Sequence, residues 1–173
     1  MGIRQKGDPI LTQPTLPFDL PGEANEAARL QDELMVYVDR LKQIYPFTKG
    51  IGLAAPQIGV PRSMAVVVPS DPPAIVLTNP RVTWASKETD EQFEGCLSFF
   101  DVRGQVRRPL SIDVEVADFD GSIALRRFER GIARLVLHEI DHLRGRLYVE
   151  RLTPGANLIS MEDYRGTSAA WQY

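Results

Sequence analysis

Thiol and imidazole are scarce in this chain: Cys96 is its only cysteine, and His138 and His142 are its only histidines. A single cysteine excludes an internal disulfide, which fits a reducing compartment and leaves the thiol available for chemistry or burial. Long apolar runs are missing as well. No stretch approaches the ~18 apolar residues that a membrane span needs, and the N-terminal MGIRQKGDPI has no apolar signal-peptide core. Lys6 stands where the myristoylation pattern after Gly2 needs Ser or Thr. An excess of positive charge is absent too. The net charge is −3, so the chain has no electrostatic drive toward nucleic acid or an anionic membrane. Short basic runs, RGQVRR, LRR and LRGR, are interleaved with acids and read as solvated surface. The expectation is a cytoplasmic protein without a direct nucleic-acid or membrane partner.

What is present suits one globular domain over residues 1–173. At 43% hydrophobic and 25% charged residues, the chain is long enough to bury an ordinary core. Four prolines within the first 23 residues predict an extended arm that hugs the surface. Ala27, Leu30, Leu34, Val38 and Leu41 recur in steps of three and four, a helical stripe from about Asn25 to Ile44 that Pro46 ends. MAVVVP and AIVLTNP read as short buried strands. RVTWASKETDEQF reads as a polar connection or a twisted edge. Ile112, Val114, Val116 and Phe119 alternate with Asp113, Glu115 and Asp118, which predicts a half-buried strand turning at Asp120-Gly121. A second helix is expected from about Glu129 to Arg144, with Gly145 closing it. The tail after Leu152 shows little periodicity. Strands followed by one late helix make an α+β arrangement.

That late helix holds HEIDH. Residues four apart lie one turn apart on the same helix face, so His138 and His142 can bind one metal ion together. Glu139, offset by about 100°, can reach a water on that ion without displacing either ring. H-E-x-x-H is therefore two imidazole ligands plus one general base. Chance also produces such quintets, but two partly buried imidazoles need a polar partner, and this quintet holds all the histidine of the chain. A catalytic metal needs a third protein ligand and an open position. The extended zincin pattern runs as far as Gly145 and then meets Tyr148 where a third histidine would fall. Cys96, in EGCLS, is the natural substitute, because a thiolate binds Fe or Zn well. Alone it would read as a small buried hydrophobe.

EGCLS and HEIDH, with GIGLAAPQ upstream, together resemble the peptide deformylases in order and approximate spacing, from roughly GDPIL to LYVERL. The resemblance implies a small α+β fold, with small mixed or antiparallel sheets packed around a central HExxH-bearing helix. It implies metal ligation by Cys96, His138 and His142, and general acid/base chemistry by Glu139. The side chain of Gln57 and the backbone N–H of Leu97 would donate to the reacting carbonyl oxygen. It further implies one divalent ion per chain, Fe²⁺ first with Zn²⁺, Ni²⁺ or Co²⁺ as alternatives. The substrate would be the N-formylmethionine end of a newly made polypeptide. Ile51 and Gly52 would lie along the substrate backbone, although glycines such as those of GIG also serve plain turns. Arg103 would face the peptide cleft, and Glu94 would pair with Arg108; both arginines also read as members of surface ion pairs.

The sequence departs from the family in three places. Phe99, Phe100 and Asp101 follow EGCLS where an aliphatic residue, Pro and Gly are usual, so the peptide side of the site is expected to differ. Leu137 stands where glutamine is common. The tail, with Pro154 and Gly155 and no long basic helix, gives no support for docking near the ribosome. Three rival readings remain: a deformylase-like amidase for another N-acyl group, a zincin-like protease, and a non-catalytic module on the same fold.

Overall fold

The computed structural model describes residues 2–45, 47, 50–70 and 73–166. Among them lie helix α1 (Ala24–Ile44), strands β1 (Ile51–Ala54), β2 (Met64–Val68), β3 (Ile75–Thr78), β4 (Arg81–Ala85), β5 (Thr89–Cys96), β6 (Phe99–Pro109), β7 (Ser111–Ala117) and β8 (Ile123–Glu129), helix α2 (Arg130–Leu143), strand β9 (Ile159–Ser160) and helix α3 (Met161–Gly166). The strands form three antiparallel three-stranded sheets, ordered β1-β2-β3, β4-β7-β8 and β5-β6-β9. This is the expected α+β class, and α2 is its hub. Ala133, Val136, Ile140 and Leu143 of α2 pack on Ala65, Val67 and Leu77 of the first sheet and on Ile112, Val114, Val116 and Phe128 of the second. On the other side of the first sheet, the stripe Ala27, Leu30, Leu34, Val38 and Leu41 of α1 packs against Ile51, Leu53, Met64 and Val66. Strands buried on both faces read as continuous apolar runs, which is why MAVVV and IVLT stood out.

Alternation in β7 holds: Ile112, Val114 and Val116 are buried, while Asp113 and Glu115 pair outside with Arg127 and Arg81. The strand stops at Ala117, so Phe119 belongs to the turn, where Gly121 adopts φ +88°. Pro46 lies outside the described residues, and α1 closes with the Tyr45 N–H on the Leu41 carbonyl.

Three expectations need correction. RVTWASKETDEQF is an edge, as one of its two readings had it, but as two edge strands in two different sheets, β4 on β7 and β5 on β6, and not a connection. Two of its acidic residues, poor strand formers alone, meet cations: Glu91 pairs across the strands with Arg107, and Asp90 with Arg134. Such pairs stabilise a strand that composition disfavours. The N-terminal arm does more than hug the surface, because Leu11 and Phe18 are buried and Thr15 N–H donates to the Leu143 carbonyl. The tail contributes β9, which extends the β5-β6 sheet through Val102 and Arg103.

Gly145 ends α2 in the left-handed region at φ +69°, with the arm lying across it. A Cβ there would stand 2.7 Å from the backbone carbons of Thr12 and Gln13. Gly145→Ala is expected to lower the unfolding free energy by at least about 1–2 kcal/mol, the cost of the left-handed conformation alone. The measurement is the urea midpoint at constant m; an unmoved midpoint would refute this account.

Candidate metal centre

Cys96 ends β5 at the tight turn into β6, and His138 and His142 sit on α2 facing that turn. Cys96 Sγ and one nitrogen from each imidazole all lie within 4.8 Å of one another. Sγ is 3.1 Å from His142 Nε2. Donors bound at about 2.0–2.3 Å to one tetrahedral ion lie roughly 3.5 Å apart, so one thiolate and two imidazoles suit a single Zn²⁺ or first-row ion. Burial disfavours the Cys96 thiolate, but the charge of His142 and hydrogen bonds from both rings outweigh it. The thiol is held well below its ordinary range, in the ligating form.

Glu139 lies beside this cluster, 2% exposed. Its Oε2 is buried with no hydrogen-bond partner among the described residues, a costly arrangement for a carboxylate unless something else occupies it. Burial first, and then the negative charges of Cys96 and Glu94, raise its pKa to about 7 against the opposing pull of both histidines. A carboxyl poised there can exchange a proton near neutral pH. Gly52 of β1 makes room for it, since a Cβ on Gly52 would stand 2.2 Å from Glu139 Oε1. The first demand on that glycine is therefore this carboxylate, where sequence suggested an approaching substrate backbone.

Gln57 is fixed in a 3-10 turn after β1, 1% exposed. Its Oε1 accepts from Ala54 N–H at 2.9 Å, which turns Nε2 toward Ser98 Oγ at 3.1 Å and Cys96 Sγ at 3.6 Å. Leu97 occupies the turn between β5 and β6. With Ile51, Gly52, Gln57, Cys96, Arg103 and His138 it lines a cavity of about 270 Å³. Arg103 curls over Gly95 and donates to the carbonyls of Phe100 and Val102 at 3.0 and 2.8 Å.

Glu94 and Arg108 are not a surface pair: they are 2% and 3% exposed. Arg108 Nε and Nη2 each donate to one Glu94 oxygen at 2.9 Å. Arg134 donates to Glu94 Oε1 at 2.6 Å, and His138 Nδ1 meets Oε2 at 3.0 Å. Burial would raise the Glu94 pKa, but Arg108 prevails and holds it far below the carboxylate range. The contact also occupies Nδ1, leaving His138 Nε2 for the cluster, an orientation typical of metal-bound imidazoles. Sequence reasoning missed Arg134, Asp141 and Arg151. Asp141 accepts from Arg108 and from Arg151 at 2.6 Å each. The available signal was Arg134 one turn before His138, a charge inside an apolar helix stripe. Tyr148, in the place of a third histidine, stacks on His138 at 5.9 Å and donates to the Val102 carbonyl at 3.3 Å.

The family model for polypeptide deformylase matches residues 1–157. The chain is 38% identical over 130 residues to peptide deformylase 2 of Clostridium perfringens, covering 75% of this chain and 84% of that one. To the peptide deformylase of Synechocystis it is 36% identical over 151 residues, 84% and 75% of the two chains. The solved class I type b peptide deformylase of Acinetobacter baumannii with Met-Ala-Ser bound superposes with a TM-score of 0.76. It is 30% identical, over 87% of this chain and 96% of that one.

Arg108→Ala leaves two buried carboxylates short of a cation and is expected to cost about 3–5 kcal/mol of stability. Chemical denaturation, with metal content measured alongside, tests it. A variant unchanged in both would show that the buried pair supports neither.

Proposed function

The chain belongs to the peptide deformylase family, and from that premise we propose that residues 1–173 act as one catalytic domain that removes the N-formyl group from the N-terminal methionine of new polypeptides, releasing formate. The observation that carries the reading is the convergence of Cys96, His138 and His142 beside a buried Glu139 oxygen with no hydrogen-bond partner among the described residues. A relative bound to Met-Ala-Ser, the product expected from formyl-Met-Ala-Ser, supports the substrate class.

In this reading Cys96, His138 and His142 would hold one divalent ion, Fe²⁺ first, on a donor set that also accepts Zn²⁺, Ni²⁺ and Co²⁺. Such an ion supplies Lewis acidity, lowering the pKa of a neighbouring water to about 7 in the best cases. Glu139 takes a proton from the attacking water as the water oxygen bonds to the formyl carbon. The carbonyl oxygen gains negative charge, and the Gln57 side-chain amide and the Leu97 backbone N–H donate to it. Removing one such donor costs about 3–4 kcal/mol of barrier in comparable enzymes. As the C–N bond breaks, Glu139 returns its proton to the leaving amine. β1 is the edge strand of its sheet, so Ile51 and Gly52 offer their backbone to the substrate peptide, and Arg103 borders the cleft. Glu94 and Arg108 keep the His138 ring in place. The free thiol suits the cytoplasm, where formylated chains are made.

A second reading, an amidase acting on another N-acyl group, rests on Phe100, which lines the cavity where the family usually carries smaller residues. Turnover of formyl- against acetyl-Met-Ala-Ser separates the two.

Glu139→Ala is expected to lower formate release from formyl-Met-Ala-Ser by roughly 10²–10⁴-fold while bound metal stays stoichiometric. Full activity in that variant would remove Glu139 from the role of base.

A further inference from the structure

The family match ends at residue 157, yet the chain continues into β9 and α3. We propose that this following segment selects which first-residue side chain the cavity accepts, with Tyr164 as the specificity-determining residue. The proposal rests on the deformylase reading above.

The segment is anchored at three points. Ile159 and Ser160 pair with Arg103 and Val102 of β6, the strand that follows the Cys96 turn. Leu158 packs into the cluster of Val106, Tyr148 and Cys96. Ser160 then caps α3: its Oγ accepts from Asp163 N–H at 3.0 Å and donates to Asp163 Oδ2 at 2.7 Å. These contacts set the register of α3, and with it the direction in which position 164 points.

Tyr164 consequently reaches the cavity. Its ring meets Phe93 edge-on, with centroids 5.4 Å and planes 63° apart, a favourable aromatic arrangement. Both rings line the cavity together with Leu135. Cys96, His138 and Glu139 line the same cavity, so this apolar wall shares its space with the reactive cluster. In an N-formyl peptide only the amide nitrogen separates the formyl carbon from the first Cα. With the formyl carbon held at Glu139, the first side chain has to enter the same cavity. Phe93 and Leu135 come from the framework of the site; Tyr164 is the part of the wall that comes from outside the family match.

The test compares kcat/KM of the metal-loaded protein on formyl-norleucine-Ala-Ser and formyl-Phe-Ala-Ser, for wild type, Tyr164→Ala and Tyr164→Trp. Removing the ring is expected to shift the Phe-to-norleucine ratio upward by roughly 10-fold or more, mainly through KM, and the larger indole to shift it downward. Binding of the products Phe-Ala-Ser and norleucine-Ala-Ser should move in the same directions. If Tyr164→Ala does not fold, the Tyr164→Trp ratio decides. An active wild type whose variants keep the same ratio, or change uniformly across substrates, overturns the proposal and leaves the deformylase reading intact. A wild type that releases no formate from any formyl peptide overturns both.

Discussion

Glu94 is a carboxylate buried at a place where it can exist only if several cations meet it at once. Arg108 grips both its oxygens, Arg134 a third contact, and His138 Nδ1 a fourth. Arg108 continues to Asp141, and Asp141 to Arg151. These residues come from β5, β6, α2 and the 3-10 turn at Tyr148–Arg151. Each would be expensive to bury alone, since an uncompensated interior charge costs several kcal/mol. Together they admit one placement of α2 against β5 and β6. Alternation on β5 puts Glu94 and Cys96 on the same face, so the placement that satisfies the carboxylate also delivers the thiol to the histidines.

Space matters in the same way. Glu139 stands where any side chain at position 52 would stand, and the Arg103 guanidinium lies where one at position 95 would lie. Both glycines sit in the short motifs that first suggested a site. Their contribution is an absence of atoms that lets a charged group come close to the reacting centre while remaining inside the protein. A buried carboxyl with a raised pKa and a buried thiol with a lowered one then coexist within one cavity, because each answers to different neighbours. That divergence is what acid/base work beside a metal requires.

Helices α1 and α2 and the buried strands were legible because apolar periodicity survives in their sequences. β4 and β5 were not, since charge pairs across strands replace apolar residues as the stabilising contact. The HEIDH spacing indicated the histidines, and EGCLS indicated the thiol by elimination and resemblance. Arg134 left one trace, a charge within an apolar helix stripe; Asp141 and Arg151 left none, because a linear pattern does not record which charges meet in the interior.

Sequence alone determined the inventory: one thiol, two imidazoles a helical turn apart, and a carboxylate beside the first. Local geometry obliges the two rings to share a face. Only the tertiary structure decided that the thiol meets them, that Glu94 and Arg108 are interior, and that a tail without periodicity supplies an aromatic wall. Those outcomes depend on strand register and on the mutual neutralisation of charges far apart in the chain, which no local preference encodes.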